Sequence, residues 1–323
     1  MMRAIQISTT GPSSVLQMVS KEIPKIGAGD LLVKNQFAGV NFIDTYHRSG
    51  VYPLRSNCLG MEGAGEVVAV GESVSSVKPG DIVAWPGTIN SYAEFVAVPH
   101  KKAVVVPTGV DVKTGCAAML QGMTAHYLIT SVYSIKPNDW ALVHAAAGGV
   151  GQLLVQMIKS RGGKVIGTCG SEEKAVIARE AGCDHVIVGY GEFAPAVKGF
   201  TEGGKGVHVV YDGVGKDTFM GSLDSLRPRG MMALYGGASG QVPPFDLQGL
   251  NSRGSLVVTR PKLNDFIADE EEFQWRASEI FADCLNGKLK FSIGGVYPAE
   301  KVADSHDDLE GRKTTGKLLL QFY

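Results

Sequence analysis

The stretch Trp140-Ala-Leu-Val-His-Ala-Ala-Ala-Gly148-Gly149-Val150-Gly151-Gln-Leu-Leu-Val-Gln-Met-Ile-Lys159 decides the fold. Ala141 to Ala145 is mostly apolar and reads as a buried parallel strand; a glycine-dense turn follows, and Leu153, Leu154, Met157 and Ile158 then recur at helical spacing. Strand, turn and helix in that order are what the dinucleotide fingerprint G-x-G-x-x-G requires. The frame falls on Ala146, Gly148 and Gly151, with Ala in place of the first glycine. Gly148, Gly149 and Val150 would turn backbone N–H groups toward a pyrophosphate at the positive end of the helix, and Gly151 would let helix and strand pack closely. In a chain with 42 glycines an ordinary tight turn has the same local composition, so the flanking strand and helix decide between the two.

Downstream, strands and helices alternate: Lys164–Cys169, Glu172–Ala181, His185–Val188, Glu192–Phe200, Val207–Asp212, Asp217–Leu226, Met231–Tyr235 and Ser255–Thr259. That alternation predicts an α/β, doubly wound parallel sheet with right-handed crossovers. The end of the second strand selects the cofactor. A chain choosing NADH places an acid there for the ribose 2′-hydroxyl; here the residues are Cys169-Gly170-Ser171-Glu172-Glu173-Lys174. Gly170 stands in the acid's place, Ser171 can cap the next helix and donate to a phosphate oxygen, and Lys174 lies one turn on, which favours NADPH. Simple capping by Ser171 with Lys174 solvated is the competing reading, and Glu172 and Glu173 speak for it.

Upstream, residues 2–106 read as short strands between turns: Arg3–Ser8, Leu31–Ala38, Gly65–Val70, Asp81–Ala84 and Tyr92–Val98, a pattern that suggests a compact, partly closed β-barrel. Asp111 to Tyr133 is helical in pattern, and Ile135-Lys-Pro-Asn-Asp139 leads into the first parallel strand. Beyond Arg260-Pro261, Glu270 to Leu285 is an amphipathic helix ended by Asn286-Gly287, and a tail of two strands around a short helix follows. The predicted division is residues 1–125 with 262–323 as a β-rich domain and residues 126–261 as the nucleotide domain.

With 31 basic and 32 acidic side chains in 323 residues, nothing calls for a nucleic-acid or anionic-membrane partner. No apolar run is long enough for a membrane span or a signal core, and a cytoplasmic protein is expected. Cys58, Cys116, Cys169, Cys183 and Cys284 are odd in number and scattered, which offers neither a disulfide framework nor a metal knuckle.

Several stretches together carry a family resemblance: Ala38-Gly-Val-Asn-Phe-Ile-Asp-Thr-Tyr-His-Arg-Ser-Gly50, Leu59-Gly-Met-Glu-Gly-Ala-Gly-Glu-Val67, Gln121-Gly-Met-Thr-Ala-His126, His144-Ala-Ala-Ala-Gly-Gly-Val-Gly151, Val258-Thr-Arg-Pro261 and Thr315-Gly-Lys-Leu-Leu319. The whole chain resembles the quinone oxidoreductases of the zeta-crystallin type, in the zinc-independent branch of the medium-chain dehydrogenase/reductase superfamily. The resemblance implies a GroES-like catalytic barrel, a Rossmann domain for NADPH, and an active site in the cleft between them. Zinc-dependent members place a Cys after Gly-Val and a Gly-His-Glu further on; this chain has Asn41 and Met61 at those places and lacks the four-cysteine lobe, so no zinc is expected. His47, His126 and His144 are expected to be structural.

Without a metal, hydrogen-bond donors must meet the oxyanion that forms as hydride arrives from the nicotinamide, and an electron-poor quinone suits such a site. The segment Asn41 to Tyr52, read as a loop, is dense in polar and aromatic groups. By resemblance, Asn41 and Tyr46 contact the nicotinamide end and Tyr52 lines the acceptor pocket as the donor. The resemblance also places Thr124 at the nicotinamide, Tyr190 at the adenine side, and Tyr235, Gly236, Gly237 and Arg260 along the nicotinamide half. Ser255–Thr259, as the last strand, would present an edge for a two-fold homodimer. Reduction of activated C=C bonds in enals, enones or enoyl thioesters is the alternative activity. A non-enzymatic, crystallin-like or RNA-binding role is the alternative outside enzymology.

Overall fold

A computed structural model describes residues 1–323 and divides them into two compact units, Met1–Met123 with Ile267–Tyr323, and Thr124–Phe266. The division falls a few residues from the predicted 125/126 and 261/262.

In the second unit, six parallel strands stand in the spatial order His185–Val188, Lys164–Cys169, Trp140–Val143, Val207–Asp212, Leu226–Leu234 and Val257–Thr259. Numbered along the chain this is 3-2-1-4-5-6, the doubly wound order whose direction reverses beside the first strand. All four residues of Trp140–Val143 are buried, as a strand covered on both faces must be, and Leu142, Ile166, Val210 and Met232 pack in one core with Phe193, Phe219 and Leu223 from the covering helices. Val257–Thr259 is the sheet's edge, with Val257 exposed.

In the first unit, the eleven-residue strand Asp30–Val40 is central. Its first half pairs with Phe95–Pro99 and its second half with Lys317–Gln321, while Glu62–Val70 runs along the other side. The tail thus joins the β-rich unit, and Ile293–Pro298 extends the sheet beyond it. Trp85, Leu31, Val33 and Val98 fill one core.

Three readings are corrected. The first strand ends at Gln6, and it pairs with an unforeseen strand, Gln17–Lys21. The helical run after Asp111 is interrupted by π-helical turns at Ala118–Gly122 and Leu128–Val132. The segment after Asn41 is not a loop: Phe42–Ser49 is a helix, started by Asp44 Oδ2, which accepts the Asn41 N–H at 3.0 Å, and ended by Gly50 at φ 84.

Candidate active site

The glycine turn is shaped by close approach of backbone to backbone. A Cβ on Gly151 would lie 2.2 Å from the Ala145 carbonyl oxygen and 2.8 Å from Ala146 Cα, so only glycine lets the Gly149–Ser160 helix start this near the strand. A Cβ on Gly148 would meet the same oxygen at 3.1 Å. Gly148 is the N-cap and supplies no side-chain partner, so the first N–H groups of the helix, at Gly149 and Val150, have no acceptor within the helix. That is the donor set a pyrophosphate needs, and the residues present fit a dinucleotide.

One strand over, Ser171 caps the Glu172–Glu180 helix, its oxygen accepting the Lys174 N–H at 3.4 Å. Its hydroxyl also bonds Glu173 and holds that carboxyl below its usual range. Capping is therefore realised. Gly170 is exposed, and a Cβ there would meet only Tyr190, at 3.8 Å. No acid stands at the strand end. Lys174 and Tyr190 are half-buried beside it.

Below the turn lies a buried polar network that the sequence did not reveal. Asp212, at the end of its strand, accepts from the Val214 and Gly215 N–H groups at 2.8 and 2.9 Å and from the Thr218 and Ser222 hydroxyls at 2.7 and 2.9 Å. Ser222 and Thr168 in turn bond the two ring nitrogens of His144, whose pKa is pushed down by burial against the opposing pull of Asp212. A neutral, doubly bonded His144 ties its own strand end to Thr168 and, by way of Ser222, to Asp212, and has no nitrogen left for catalysis. Tyr235 and Gly236 cross closely over Gly213, since a Cβ on Gly236 would meet the Gly213 oxygen at 2.5 Å. Gly237 follows half-buried, Thr124 is buried in its helix, and Arg260 is exposed just past the edge strand.

In the first unit, the Phe42–Ser49 helix carries an aromatic group. Tyr46 and Tyr52 meet edge to face with centroids 5.3 Å apart, and His47 stands edge-on to Tyr52 at 5.9 Å. The Tyr52 N–H donates to the Tyr46 carbonyl at 3.0 Å, which ties the turn back to the helix. His47 Nδ1 lies 2.8 Å from the Pro53 carbonyl and must donate to it, so this ring too is structurally engaged. Tyr46 and Tyr52 remain half-buried.

Asn41 is held from every side. Its Nδ2 donates to Glu62 Oε2 at 2.9 Å and to the Gly39 carbonyl at 3.2 Å, and its Oδ1 accepts from Lys317 Nζ at 2.8 Å. Both amide hydrogens are committed, so Asn41 has no N–H left to offer a ligand. Lys317 also pairs with Glu62, whose other oxygen takes the Leu120 N–H at 2.6 Å. Glu62 and Lys317 are missing from the sequence-derived set. Both nevertheless lie in stretches that carry the family resemblance, Leu59–Val67 and Thr315–Leu319, each as a charge inside a glycine-rich or apolar strand. No group of three or more His, Cys, Asp or Glu side chains is placed to hold a metal ion.

Asp44 sits beside this knot. Burial raises its pKa to about 7, against the lowering effects of the Asn41 N–H, Lys317 and the Tyr92 hydroxyl, while Glu62 adds to the rise. A folded pKa above the unfolded one means that ionisation opposes folding, a penalty that grows as pH rises from about 4 to about 7. Asp44→Asn should therefore gain stability relative to the parent between pH 5 and pH 8, by on the order of 2 kcal/mol. Parallel urea titrations at the two pH values check this, and an equal difference at both would refute it.

Residues 149–275 match the family model described as zinc-binding dehydrogenase, and residues 27–132 match the alcohol dehydrogenase GroES-like domain. The probable quinone oxidoreductase of Schizosaccharomyces pombe is 40% identical over 318 residues, covering 98% of this chain and 96% of its own length. A 2-haloacrylate reductase from Burkholderia sp. is 40% identical over 304 residues, 91% of each chain. The solved structure of Escherichia coli quinone oxidoreductase complexed with NADPH matches with a TM-score of 0.96 at 38% identity, covering 99% of this chain and 100% of that one.

Proposed function

Because this chain belongs to the quinone oxidoreductase family of the medium-chain dehydrogenase/reductase superfamily, we propose that it reduces a quinone at the expense of NADPH without a metal. The observation that carries the reading is the Tyr46–Tyr52 pair, a half-buried edge-to-face aromatic surface formed by a helix and the turn tied back to it, in a unit with no metal-binding group. NADPH, when bound, supplies the hydride. The unsatisfied N–H groups at Gly149 and Val150 hold its pyrophosphate, Ser171 and Lys174 face the 2′-phosphate, and Gly170 leaves room for it. Tyr190 lies at the adenine side. Thr124, Tyr235, Gly236, Gly237 and Arg260 border the nicotinamide, with Asn41 offering its oxygen and Tyr46 its ring.

The quinone stacks or edges against the Tyr46 and Tyr52 rings, and the Tyr52 hydroxyl donates to the oxygen that becomes negative as hydride arrives. A proton must also reach that oxygen to complete the hydroquinone. Tyr52→Phe should lower kcat with 1,4-benzoquinone about tenfold to a hundredfold, the effect of losing one donor to a developing charge, with NADPH affinity kept. An unchanged kcat would reduce Tyr52 to a packing surface.

Lys174→Ala should raise KM for NADPH by an amount equivalent to about 1–3 kcal/mol, the scale of a charged hydrogen bond, and leave NADH nearly unaffected. Equal losses with both cofactors would rule out a 2′-phosphate contact.

The relationship to 2-haloacrylate reductase favours one second reading, reduction of an activated C=C bond. Steady-state rates with 1,4-benzoquinone, 9,10-phenanthrenequinone and 2-alkenals separate the two, and a clear preference for alkenals would overturn quinone reduction. No helix is long and apolar enough to cross a membrane, and all five cysteines are free, which supports a cytoplasmic location that cell fractionation tests. The edge strand Val257–Thr259 supports a homodimer, testable by sedimentation velocity.

A further inference from the structure

A buried ion pair is weak support for stability, because desolvating two charges costs about what their attraction returns. The Lys317–Glu62 pair is nevertheless almost wholly sealed, at 1% and 0% side-chain exposure, and the sheet gives up a side chain to admit it. A Cβ on Gly39 would lie 1.8 Å from Glu62 Oε2 and 2.7 Å from Lys317 Nζ. The pair is also used. Nζ donates to Asn41 Oδ1, and Glu62 accepts from Asn41 Nδ2. Rotating the amide by a half turn would set its NH2 against the ammonium and its oxygen against the carboxylate, so the pair permits one orientation of Asn41.

Asn41 is the residue from which the Phe42–Ser49 helix starts. Further along, the helix is gripped again. Arg48 can only donate, so its Nη1, 3.2 Å from His306 Nδ1, fixes that nitrogen as the acceptor and leaves the hydrogen on Nε2. Nε2 then donates to the Tyr92 oxygen at 3.2 Å, and the Tyr92 hydroxyl to Asp44 Oδ2 at 3.2 Å. Burial and the neighbouring Arg48 push His306 down to about 3, so the ring stays neutral and the direction of the chain is set. Arg48 also pairs with Glu310 at 2.9 Å. Lys317 thus holds the residue that starts the helix, and His306 and Glu310 both hold Arg48 near its end, all three from the C-terminal segment.

We propose that Lys317 is a positioning residue for quinone reduction: its ammonium, seated against Glu62 and Asn41, fixes the Asn41 amide and through it the helix that carries Tyr46, to which the turn bearing Tyr52 is tied. The inference rests on the quinone-reductase reading for its kinetic consequence, but its structural consequence can be read without any substrate. The double variant K317M/E62Q removes both charges together, so neither is left buried alone, and the glutamine oxygen can still take the Leu120 N–H. The variant is compared with the parent, free of ligand, by amide hydrogen exchange with mass spectrometry and by thermal melting; kcat and KM for 1,4-benzoquinone and the dissociation constant of NADPH are then measured.

The expected result is exchange at least tenfold faster in residues 42–52, unchanged exchange in residues 149–160, NADPH affinity within about threefold, and kcat for the quinone lowered at least tenfold. Glu62→Gln alone, which keeps the ammonium but loses its anionic partner, should show the same exchange pattern with a larger fall in melting temperature, because the ammonium is left buried and unpaired. Exchange unchanged in residues 42–52, or kcat within twofold of the parent, would overturn the proposal. So would exchange raised throughout the first unit in both variants, which would make the pair a plain structural element. If the parent itself turns over no quinone, the functional reading fails, and the exchange pattern alone decides whether Lys317 seats the helix.

Discussion

Gly151→Val is expected to weaken NADPH binding by at least a hundredfold, equivalent to about 2.7 kcal/mol. The cause is local and steric. The new Cβ would fall 2.2 Å from the Ala145 carbonyl oxygen and 2.8 Å from Ala146 Cα, and both are backbone atoms at the end of a fully buried strand that cannot swing aside as a side chain can. The helix must move off the turn, and the N–H groups of Gly149 and Val150 move with it. Overpacking of this kind also destabilises, typically by about 1–3 kcal/mol, so a lower melting temperature should accompany the loss. Gly148→Ala is the control. Its Cβ would meet the same oxygen at 3.1 Å, a contact relieved by a shift of a few tenths of an ångström, so its melting temperature should stay near the parent's. Fluorescence titration with NADPH and thermal melts read both effects. A Gly151→Val protein that binds NADPH within threefold of the parent would remove the glycine turn from the cofactor site.

Asp212→Ala should cost about 3–5 kcal/mol of folding stability, with a fall in melting temperature of roughly 10 °C. Asp212 is fully buried and is the acceptor for two backbone N–H groups and two hydroxyls. Alanine leaves all four donors without their acceptor in a site that water does not reach, and unsatisfied buried groups are the costly half of a hydrogen bond. The loss should spread to His144, because Ser222 links the two. Asp212→Asn keeps one acceptor oxygen and should cost about half as much. Equilibrium denaturation of the three proteins makes the comparison. A loss below about 1 kcal/mol for the alanine variant would show that the network is not a support of the strand ends.

The parallel sheet was legible because its strands are largely apolar and alternate with helical stretches. Glu270–Leu285 was read to the residue, since Asp269 caps it, Phe273, Ala277, Ile280 and Phe281 face inward, and Asn286-Gly287 stops it. The Phe42–Ser49 helix was read as a loop for the opposite reason. Its buried residues are Asp44, Thr45, His47 and Arg48, so a polar face turns inward and no apolar stripe betrays it. Only the partners, Glu62, Tyr92, His306 and Lys317, explain that inversion, and they are scattered along the chain. The π-helical turn at Ala118–Gly122 was equally hidden, because Ala-Met-Leu-Gln-Gly has ordinary helical composition. Part of the candidate site was legible, since the glycine turn and Tyr46 and Tyr52 stand in continuous motifs. Of the residues that hold it in place, Glu62, Tyr92 and His306 were not.

The pairing of Phe37–Val40 with Lys317–Gln321 also orders events during synthesis. Asn41 and Lys317 are 276 positions apart, and at about 5–20 residues per second the second follows the first out of the ribosome by roughly 15–55 s. Over the last 51 positions of that interval, once Phe266 has been added, the nucleotide-binding unit, which is one unbroken segment, has all its strands available. The helix bearing Tyr46 still lacks the lysine that seats it. A nascent chain can therefore complete its nucleotide-binding fold before that helix is fixed.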